Sequence, residues 1–260
     1  MENLESPLDT KELEPKVNHI ILDGIRHGET EYVEEFGAAE NGPVRDLTPK
    51  GEEQIRQVAE EIVSKIDPDK EIVVLWSSPK WRAQGSEEIV KEILAEKGIT
   101  VFKDSDISSL TAFKKHDQAF MANLWKDYGA LGKPFDAIYA KDPAFQTVND
   151  KFETQGEVKH RTERFFYRVA QLAKTANLNG KTLHIISVSH FEVLNPIVED
   201  LFGHDVEQGQ GIAKGEDLHF DFKYQTETDQ LDIESDFRGE HKIGIKLNEQ
   251  DRKFETEADV

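Results

Sequence analysis

Apolar residues occur along the chain either in continuous runs or at helical spacing, and these two patterns predict its strands and helices. Nearly continuous apolar runs, typical of strands buried on both faces of a parallel sheet, occupy residues 17–24, 71–76 and 181–188. Helical spacing of apolar residues predicts helices over residues 49–66, 79–97, 157–176 and 192–202. This alternation of strand and helix predicts a three-layer α/β/α sandwich with a mostly parallel sheet.

The remaining patterns place the domain boundaries and the edges of the sheet. A short third strand is predicted over residues 99–102. Strict alternation of apolar and polar residues after residue 217 predicts antiparallel edge strands over residues 218–224, 231–233 and 243–247. We expect a single domain over residues 17–248, with an aromatic-rich inserted lid at about residues 107–155. A charged leader (residues 1–16) and a polar tail (residues 249–260) flank it.

Two of the predicted helices begin with recognisable N-cap sequences. Thr48 is suited to cap the first helix, with Pro49 at its first helical position and acidic residues next to the positive end of the helix dipole. Ser78 is predicted to cap the second helix in the same way, with Pro79 following. This arrangement would place Arg82 in the first turn of that helix.

Composition narrows the classes of function and partner. The chain has 260 residues with a formal net charge of −20, which argues against nucleic acid or an anionic membrane as a partner. It contains no Cys, so disulfides and Cys-ligated metals are excluded, and a reducing, cytoplasmic location is expected. No run approaches the roughly 18 apolar residues of a membrane span.

Cationic and imidazole side chains follow three of the predicted strands. Arg26 and His27 end the first strand, Arg82 follows the second, and His190 ends the strand at residues 181–188. Because the carboxyl ends of parallel strands meet at one edge of a sheet, we expect these four side chains to converge. A neutral imidazole can act as a nucleophile, and a guanidinium is suited to bind phosphate oxygens. Gly28 would let a ligand approach the backbone closely.

The motifs at these positions resemble those of the histidine phosphatase superfamily, the phosphoglycerate-mutase-like proteins. The resemblance is carried by four motifs that occur in the family order between residues 18 and 200. They are Arg26-His27-Gly28-Glu29-Thr30, Leu47-Thr48-Pro49-Lys50-Gly51, Ser77-Ser78-Pro79-Lys80-Trp81-Arg82-Ala83 and Ser187-Val188-Ser189-His190.

The resemblance implies a phosphatase that uses a phosphohistidine intermediate on a small phosphorylated substrate, without a metal or cofactor. By this likeness His27 attacks phosphorus, while Arg26, Arg82 and His190 surround the phosphoryl oxygens and stabilise the transition-state charge. Gly28 and Thr30 are expected to contact the substrate as well. Where the family has an Asn three residues after the Glu-Thr pair, this chain has Val33.

The chain differs from the family pattern a second time, at the residue that donates a proton to the leaving group. The mutase-like branch takes this acid from a Leu-x-Glu pattern after the third strand, and the corresponding position here is Ser109. The acid phosphatase and phytase branch takes it just after the second histidine, which His190-Phe191-Glu192 resembles. We therefore expect Glu192 to be the acid, with Asp106 as the alternative; either carboxyl needs a raised pKa to be protonated near neutrality.

Two other functions fit the same residues. A phosphoglycerate-mutase-type phosphotransferase would return the phosphoryl group from histidine to the substrate. A non-catalytic member of the fold would bind a phosphorylated ligand without turnover. The missing Leu-x-Glu acid argues against the mutase, and the intact set of two arginines and two histidines argues against the binding protein.

Overall fold

A central seven-stranded sheet organises the computed structural model, which describes residues 17–30, 47–114, 147, 150–248 and 253–255. The strand order is β3-β2-β4-β1-β5-β6-β7, with β1 to β4 parallel to one another and antiparallel pairing from β1 through β7. The strands are β1 (Val17–Arg26), β2 (Glu71–Ser77), β3 (Val101–Asp106), β4 (Thr182–Ser189), β5 (Asp217–Gln225), β6 (Gln230–Phe237) and β7 (Glu240–Lys242).

Helices cover both faces of the sheet, which confirms the predicted three-layer sandwich. They are α1 (Pro49–Val63), α2 (Trp81–Glu96), α3 (Gln155–Thr175) and α4 (Phe191–Phe202). One apolar core lies between the sheet and α1 and α2, and a larger one lies on the other face under α3 and α4. Because an apolar strand run needs cover on both faces, these two cores account for the continuous hydrophobic runs of β2 and β4.

The start of α2 differs from the prediction. The helix begins at Trp81 with Lys80 at the N-cap position, and no side chain caps it. Ser78 precedes the N-cap position, and its hydroxyl lies 2.8 Å from Nε2 of His190. The cap of α1 is as predicted: Thr48 Oγ1 accepts a hydrogen bond from Gly51 N (3.0 Å).

The third strand and the last predicted strand also differ. The third strand runs over Val101–Asp106, because pairing with β2 continues up to Ser77 and Asp106. The predicted strand over residues 243–247 is broken at Gly244, where φ is +68°. Residues 243–245 lie in no strand, and residues 246–247 belong to β8 (Lys246–Asn248), which pairs with β9 (Lys253–Glu255) in a separate two-stranded sheet.

The predicted tail therefore contains a short strand, and Phe254 within it packs against the core under α3 and α4. The leader at residues 1–16 and most of the predicted lid, residues 115–146 and 148–149, lie outside the described residues.

The connections bring four strand ends to one edge of the sheet. Since β4 lies between β2 and β1, the carboxyl ends of these three strands are neighbours. β5 starts at the same edge, where Asp217 pairs with Ile25. The residues that follow β1, β2 and β4, and those that precede β5, can therefore meet in one place.

Candidate active site

His27 follows β1 directly, and the backbone at the next residue, Gly28, passes tightly between α1 and α2. The backbone N of His27 donates to Ser189 O (3.0 Å), which extends the β1–β4 pairing by one step. Gly28 N donates to Ser86 Oγ on α2 (3.2 Å). On the other side, a Cβ on Gly28 would lie 2.3 Å from the carbonyl oxygen of Gly51 on α1. Only glycine fits at this position, which is a steric reason for the Arg-His-Gly sequence.

The hydrogen bonds of His27 define which nitrogen carries its proton. Nδ1 lies 2.8 Å from Gly28 O, and a carbonyl can only accept, so Nδ1 is the protonated nitrogen. Nε2 accepts from Arg82 Nε (3.0 Å), and a guanidinium can only donate. Burial lowers the pKa of His27 well below its ordinary value, and Arg82 lowers it further. The ring is therefore neutral, with a lone pair on Nε2.

His190 is the second imidazole and lies against the first. The two ring centroids are 5.1 Å apart at an interplanar angle of 64°. His190 Nε2 lies 2.8 Å from Ser78 Oγ, whereas the buried Nδ1 has no hydrogen-bond partner among the described residues. Burial and then Arg82 lower the pKa of His190 well below its ordinary value. A neutral histidine with one unsatisfied nitrogen is suited to bind a polar ligand atom.

Arg26 is almost fully buried, with 6% of its surface exposed. Its Nη1 donates to Ile212 O (2.7 Å), and its guanidinium lies 5.0 Å from the ring centroid of Phe191. The loop before β5 supplies the carbonyl, and the first residue of α4 supplies the ring. A buried guanidinium held in this way is a fixed positive charge at the strand ends.

Arg82 is half-buried in the first turn of α2, where the sequence predicted it. Its carbonyl accepts from Ser86 Oγ (2.8 Å), and the same hydroxyl accepts from Gly28 N. Arg82 therefore contacts residues 27–30, which we call the histidine loop, through its side chain and, by way of Ser86, through its backbone. Lys80 and Lys214 add positive potential, because each lowers the pKa of one of the two histidines.

The two candidate acids lie in different environments. Glu192 is buried in the first turn of α4, two residues after His190, with 8% of its surface exposed. Asp106 is exposed at the end of β3. Both of its carboxylate oxygens accept from Gln84 Nε2 (3.1 Å each), and Ser77 Oγ lies 3.3 Å from one of them.

The remaining predicted positions lie along the same edge of the sheet. Thr30 is buried, and its backbone bridges to Leu47 just before α1. Ser109, the position of the mutase-type acid, lies in a short 3₁₀ helix over Ser108–Leu110. Its carbonyl accepts from Arg161 Nη1 (2.5 Å), and Arg161 also pairs with the buried Glu153.

Several residues of the site were missed in the sequence. Ser78 contacts His190, and the Ile212 carbonyl and the Phe191 ring hold Arg26. Ser78 lies in a motif that the sequence did single out, but as a helix cap. The loop that precedes β5 contributes a backbone atom, the Ile212 carbonyl, which has no sequence signature.

The described part of the chain has neither a metal-binding cluster nor a membrane-spanning helix. No group of three or more His, Asp or Glu side chains there is arranged to hold a metal ion. None of the helices described is both long and apolar enough to cross a membrane.

Comparison with known proteins assigns the fold and the family. The model of the histidine phosphatase superfamily (branch 1) matches residues 24–217. The phosphoglycerate mutase of Bacillus anthracis has a similar fold, with a TM-score of 0.51 at 17% sequence identity; the match covers 87% of this chain and 92% of that one.

Two further solved structures are more distantly similar. A mycobacterial glucosyl-3-phosphoglycerate phosphatase has a TM-score of 0.48 at 14% identity, covering 84% of this chain and 97% of that one. The α-ribazole phosphatase of Shigella flexneri has a TM-score of 0.46 at 21% identity, covering 77% and 89%. No curated protein matches the sequence.

Proposed function

The chain belongs to the histidine phosphatase superfamily, and we propose that it is a metal-independent phosphomonoester phosphatase that forms a phosphohistidine on His27. The observation that carries this proposal is the state of that ring. Nδ1 is bound to the Gly28 carbonyl, Nε2 carries the lone pair, and both the burial and the neighbouring arginine keep the imidazole neutral. A neutral imidazole with a lone pair on Nε2 is the form that can attack phosphorus, once the ligand replaces that lone pair's hydrogen bond to Arg82.

The first step transfers the phosphoryl group to the enzyme. The His27 Nε2–P bond forms as the bond between phosphorus and the ester oxygen breaks, and the leaving oxygen takes a proton from an acid. Arg82, which donates to Nε2 in this structure, exchanges that hydrogen bond for one to a phosphoryl oxygen. Arg26 and Nδ1 of His190 bind the other oxygens, so positive charge and donors surround the transition state.

The second step releases phosphate. Water attacks phosphorus, the N–P bond breaks, and the carboxylate that gave up its proton in the first step takes one from the water. The two steps together divide one difficult displacement into two easier ones. They consume one water for each ester, and the His27 ring returns to its neutral form.

We assign the acid to Glu192 and keep Asp106 as the alternative. Glu192 is the buried one of the two, and it follows His190 by two residues at the carboxyl end of β4. Asp106 is exposed, and Gln84 Nε2 donates hydrogen bonds to its carboxylate.

The test is hydrolysis of an aryl phosphate, with a chelator present, by the wild type and three variants. We expect His27→Ala to abolish activity and Glu192→Gln to lower kcat by about 10²-fold or more. Asp106→Asn is the matched carboxylate control and should lower kcat much less. The acid assignment is overturned if Asp106→Asn is the more damaging change.

The same assay separates the alternative functions. Mutase activity that rises when bisphosphoglycerate is added, with no ester hydrolysis, would identify a phosphotransferase. Phosphate binding without turnover of any ester in a broad panel would identify a binding protein.

A further inference from the structure

The hairpin between β6 and β7 carries an arginine in an unusual backbone conformation. Arg238 and Gly239 form its two-residue turn, with φ of +50° and +77°. Positive φ is disfavoured for a residue with a Cβ, and Asn or Gly is the usual choice at the first position of such a turn. A long cationic side chain at this position needs an explanation from its contacts.

Arg238 directs its guanidinium at the loop that precedes β5. Nε and Nη2 donate to the two carboxylate oxygens of Glu216 (2.9 and 2.7 Å). Nη1 donates to Gln210 O and Nη2 to Gly211 O, both at 2.9 Å. One side chain thus binds both ends of a loop over residues 210–216, which we call the clamp loop.

The clamp loop in turn holds Arg26. The carbonyl of Ile212, the residue after Gly211, accepts from Arg26 Nη1 (2.7 Å). Arg26 N donates to Glu216 O (2.9 Å), and Gly215 N donates to Arg26 O (3.0 Å). The backbone and the side chain of the buried arginine are therefore both fixed by this loop.

The Glu216 carboxylate also stabilises the loop from within. Its Oε2, which accepts from Arg238, also accepts from Ala213 N (2.6 Å). Removal of the Arg238 guanidinium would therefore weaken the contacts of Gly211 and Ala213, the two residues that flank Ile212.

We propose that Arg238 is a positioning residue for the phosphoryl site, which it sets by holding the clamp loop so that the Ile212 carbonyl fixes the Arg26 guanidinium. The inference rests on the proposed function only in assuming that Arg26 binds phosphoryl oxygens. Arg238 itself does not touch the ligand.

An ordinary surface ion pair would behave differently. Arg238 and Glu216 are about one-third exposed (33% and 32% of their side chains), and pairs this exposed contribute little to stability. A structural role alone would therefore show as a small change in unfolding and no change in phosphate affinity. If Arg238 is a positioning residue, its loss weakens phosphate binding and raises KM, while the free energy of unfolding stays nearly constant.

Arg238→Asn isolates the guanidinium from the turn. Asn-Gly is the preferred sequence for a two-residue turn with positive φ, so the hairpin is retained while the four hydrogen bonds are lost. We expect the dissociation constant for inorganic phosphate, measured by calorimetry, and the KM for an aryl phosphate each to rise about tenfold. The urea midpoint of unfolding should stay near that of the wild type.

Asp229→Asn is the matched control. Asp229 also has a positive φ (+54°), in the β5–β6 hairpin at the opposite ends of the strands, so the same residue type enters a positive-φ position remote from Arg26. Its phosphate affinity and KM should equal those of the wild type.

A double-mutant cycle tests whether Arg238 affects phosphate binding through Arg26. If Arg238 acts through Arg26, then Arg238→Asn should weaken phosphate binding much less in an Arg26→Met background than in the wild type. Equal losses in the two backgrounds, or an unchanged phosphate affinity in Arg238→Asn alone, would overturn the proposal. A wild type that binds phosphate but hydrolyses no ester would refute the proposed phosphatase, and phosphate affinity would still decide the role of Arg238.

Discussion

At the scale of single residues, the two histidines differ in how their tautomers are set. His27 has one partner that can only accept and one that can only donate, so its proton position follows from geometry. His190 has a hydroxyl partner, Ser78 Oγ, which could do either. Lys80 N donates to the same hydroxyl (3.3 Å), which favours donation from Ser78 to Nε2 and leaves the proton of His190 on Nδ1.

We therefore predict that the Ser78 hydroxyl orients the His190 ring. Ser78→Ala should lower kcat/KM for an aryl phosphate by about tenfold, since a buried hydrogen bond contributes about 1 kcal/mol and the Nδ1 proton is no longer fixed. Steady-state kinetics checks it. Ser64→Ala, which removes an exposed hydroxyl at the far end of α1, is the control and should have wild-type kinetics. An undiminished kcat/KM in Ser78→Ala would show that its hydroxyl does not orient the ring.

The sequence predicted which arginine and histidine side chains meet but not how they are held. Arg26, His27, Arg82 and His190 do lie at one edge of the sheet, because parallel strands place their carboxyl ends together. The carbonyl of Ile212 could not be predicted, since every residue has a carbonyl. Neither could the contact of Ser78, because a serine before Pro79 is equally suited to cap a helix.

At the scale of elements, the histidine loop is positioned by its close approach to α1. A Cβ on Gly51 would lie 2.1 Å from Glu29 O, and one on Gly28 would lie 2.3 Å from Gly51 O. Thr48 N also donates to Glu29 O (2.9 Å). Two glycines facing each other thus allow the start of α1 to lie directly against the backbone that carries His27.

Gly51→Ala is expected to separate α1 from the loop. Overpacking of this kind costs about 1–3 kcal/mol, and the displaced loop should lower kcat as well. Urea unfolding and aryl phosphate kinetics measure the two effects. Gly156→Ala in α3 is the matched control, because nothing lies within 4 Å of its added Cβ; it should be neutral or slightly stabilising. Wild-type stability and kcat in Gly51→Ala would contradict this account of the contact.

Element boundaries were predictable where a local signal and the tertiary contact agree. At the start of α1, Thr48 both caps the helix with its side chain and contacts Glu29 with its backbone. At α2 they disagree, since Ser78 contacts His190 and the helix begins later, at Trp81. The break at Gly244 was not predicted, because alternation over residues 243–247 is the same whether or not the strand turns there.

At the scale of the whole molecule, a buried chain of charges links four strands. His184 on β4 lies between Glu71 on β2 (Nδ1 to Oε2, 2.7 Å) and Asp23 on β1 (Nε2 to Oδ2, 2.6 Å). Asp23 Oδ1 lies 2.6 Å from Nδ1 of His219 on β5. Although burial opposes it, pairing with the two carboxylates raises the pKa of His184 to about 9. The same network keeps the pKa of Asp23 below its usual range.

Stability should therefore fall as the solution becomes alkaline. A raised histidine pKa contributes stability that is complete below about pH 6.5 and lost as the pH rises through about 9, on the order of 3 kcal/mol. Urea unfolding of the wild type from pH 7 to pH 9 should show this loss. Asp217, whose pKa burial raises to about 6, has finished titrating below that range.

His184→Gln provides the comparison for this prediction. The variant should be less stable at pH 7, and its stability should change less between pH 7 and pH 9. Some slope should remain, because the pairing with Asp23 also raises the pKa of His219. A wild type whose stability is constant across this interval would show that His184 is not charged in the folded protein.

The most direct test of the central claim is a search for the phosphoryl group on His27. We would mix the enzyme with an aryl phosphate, quench it in alkali within the first turnover, and locate the modification by peptide mass spectrometry. We expect one acid-labile, base-stable phosphoryl group on His27, and none on a His27→Asn variant. Turnover by the wild type with no phosphoenzyme, or a phosphoryl group on any other residue, would contradict it.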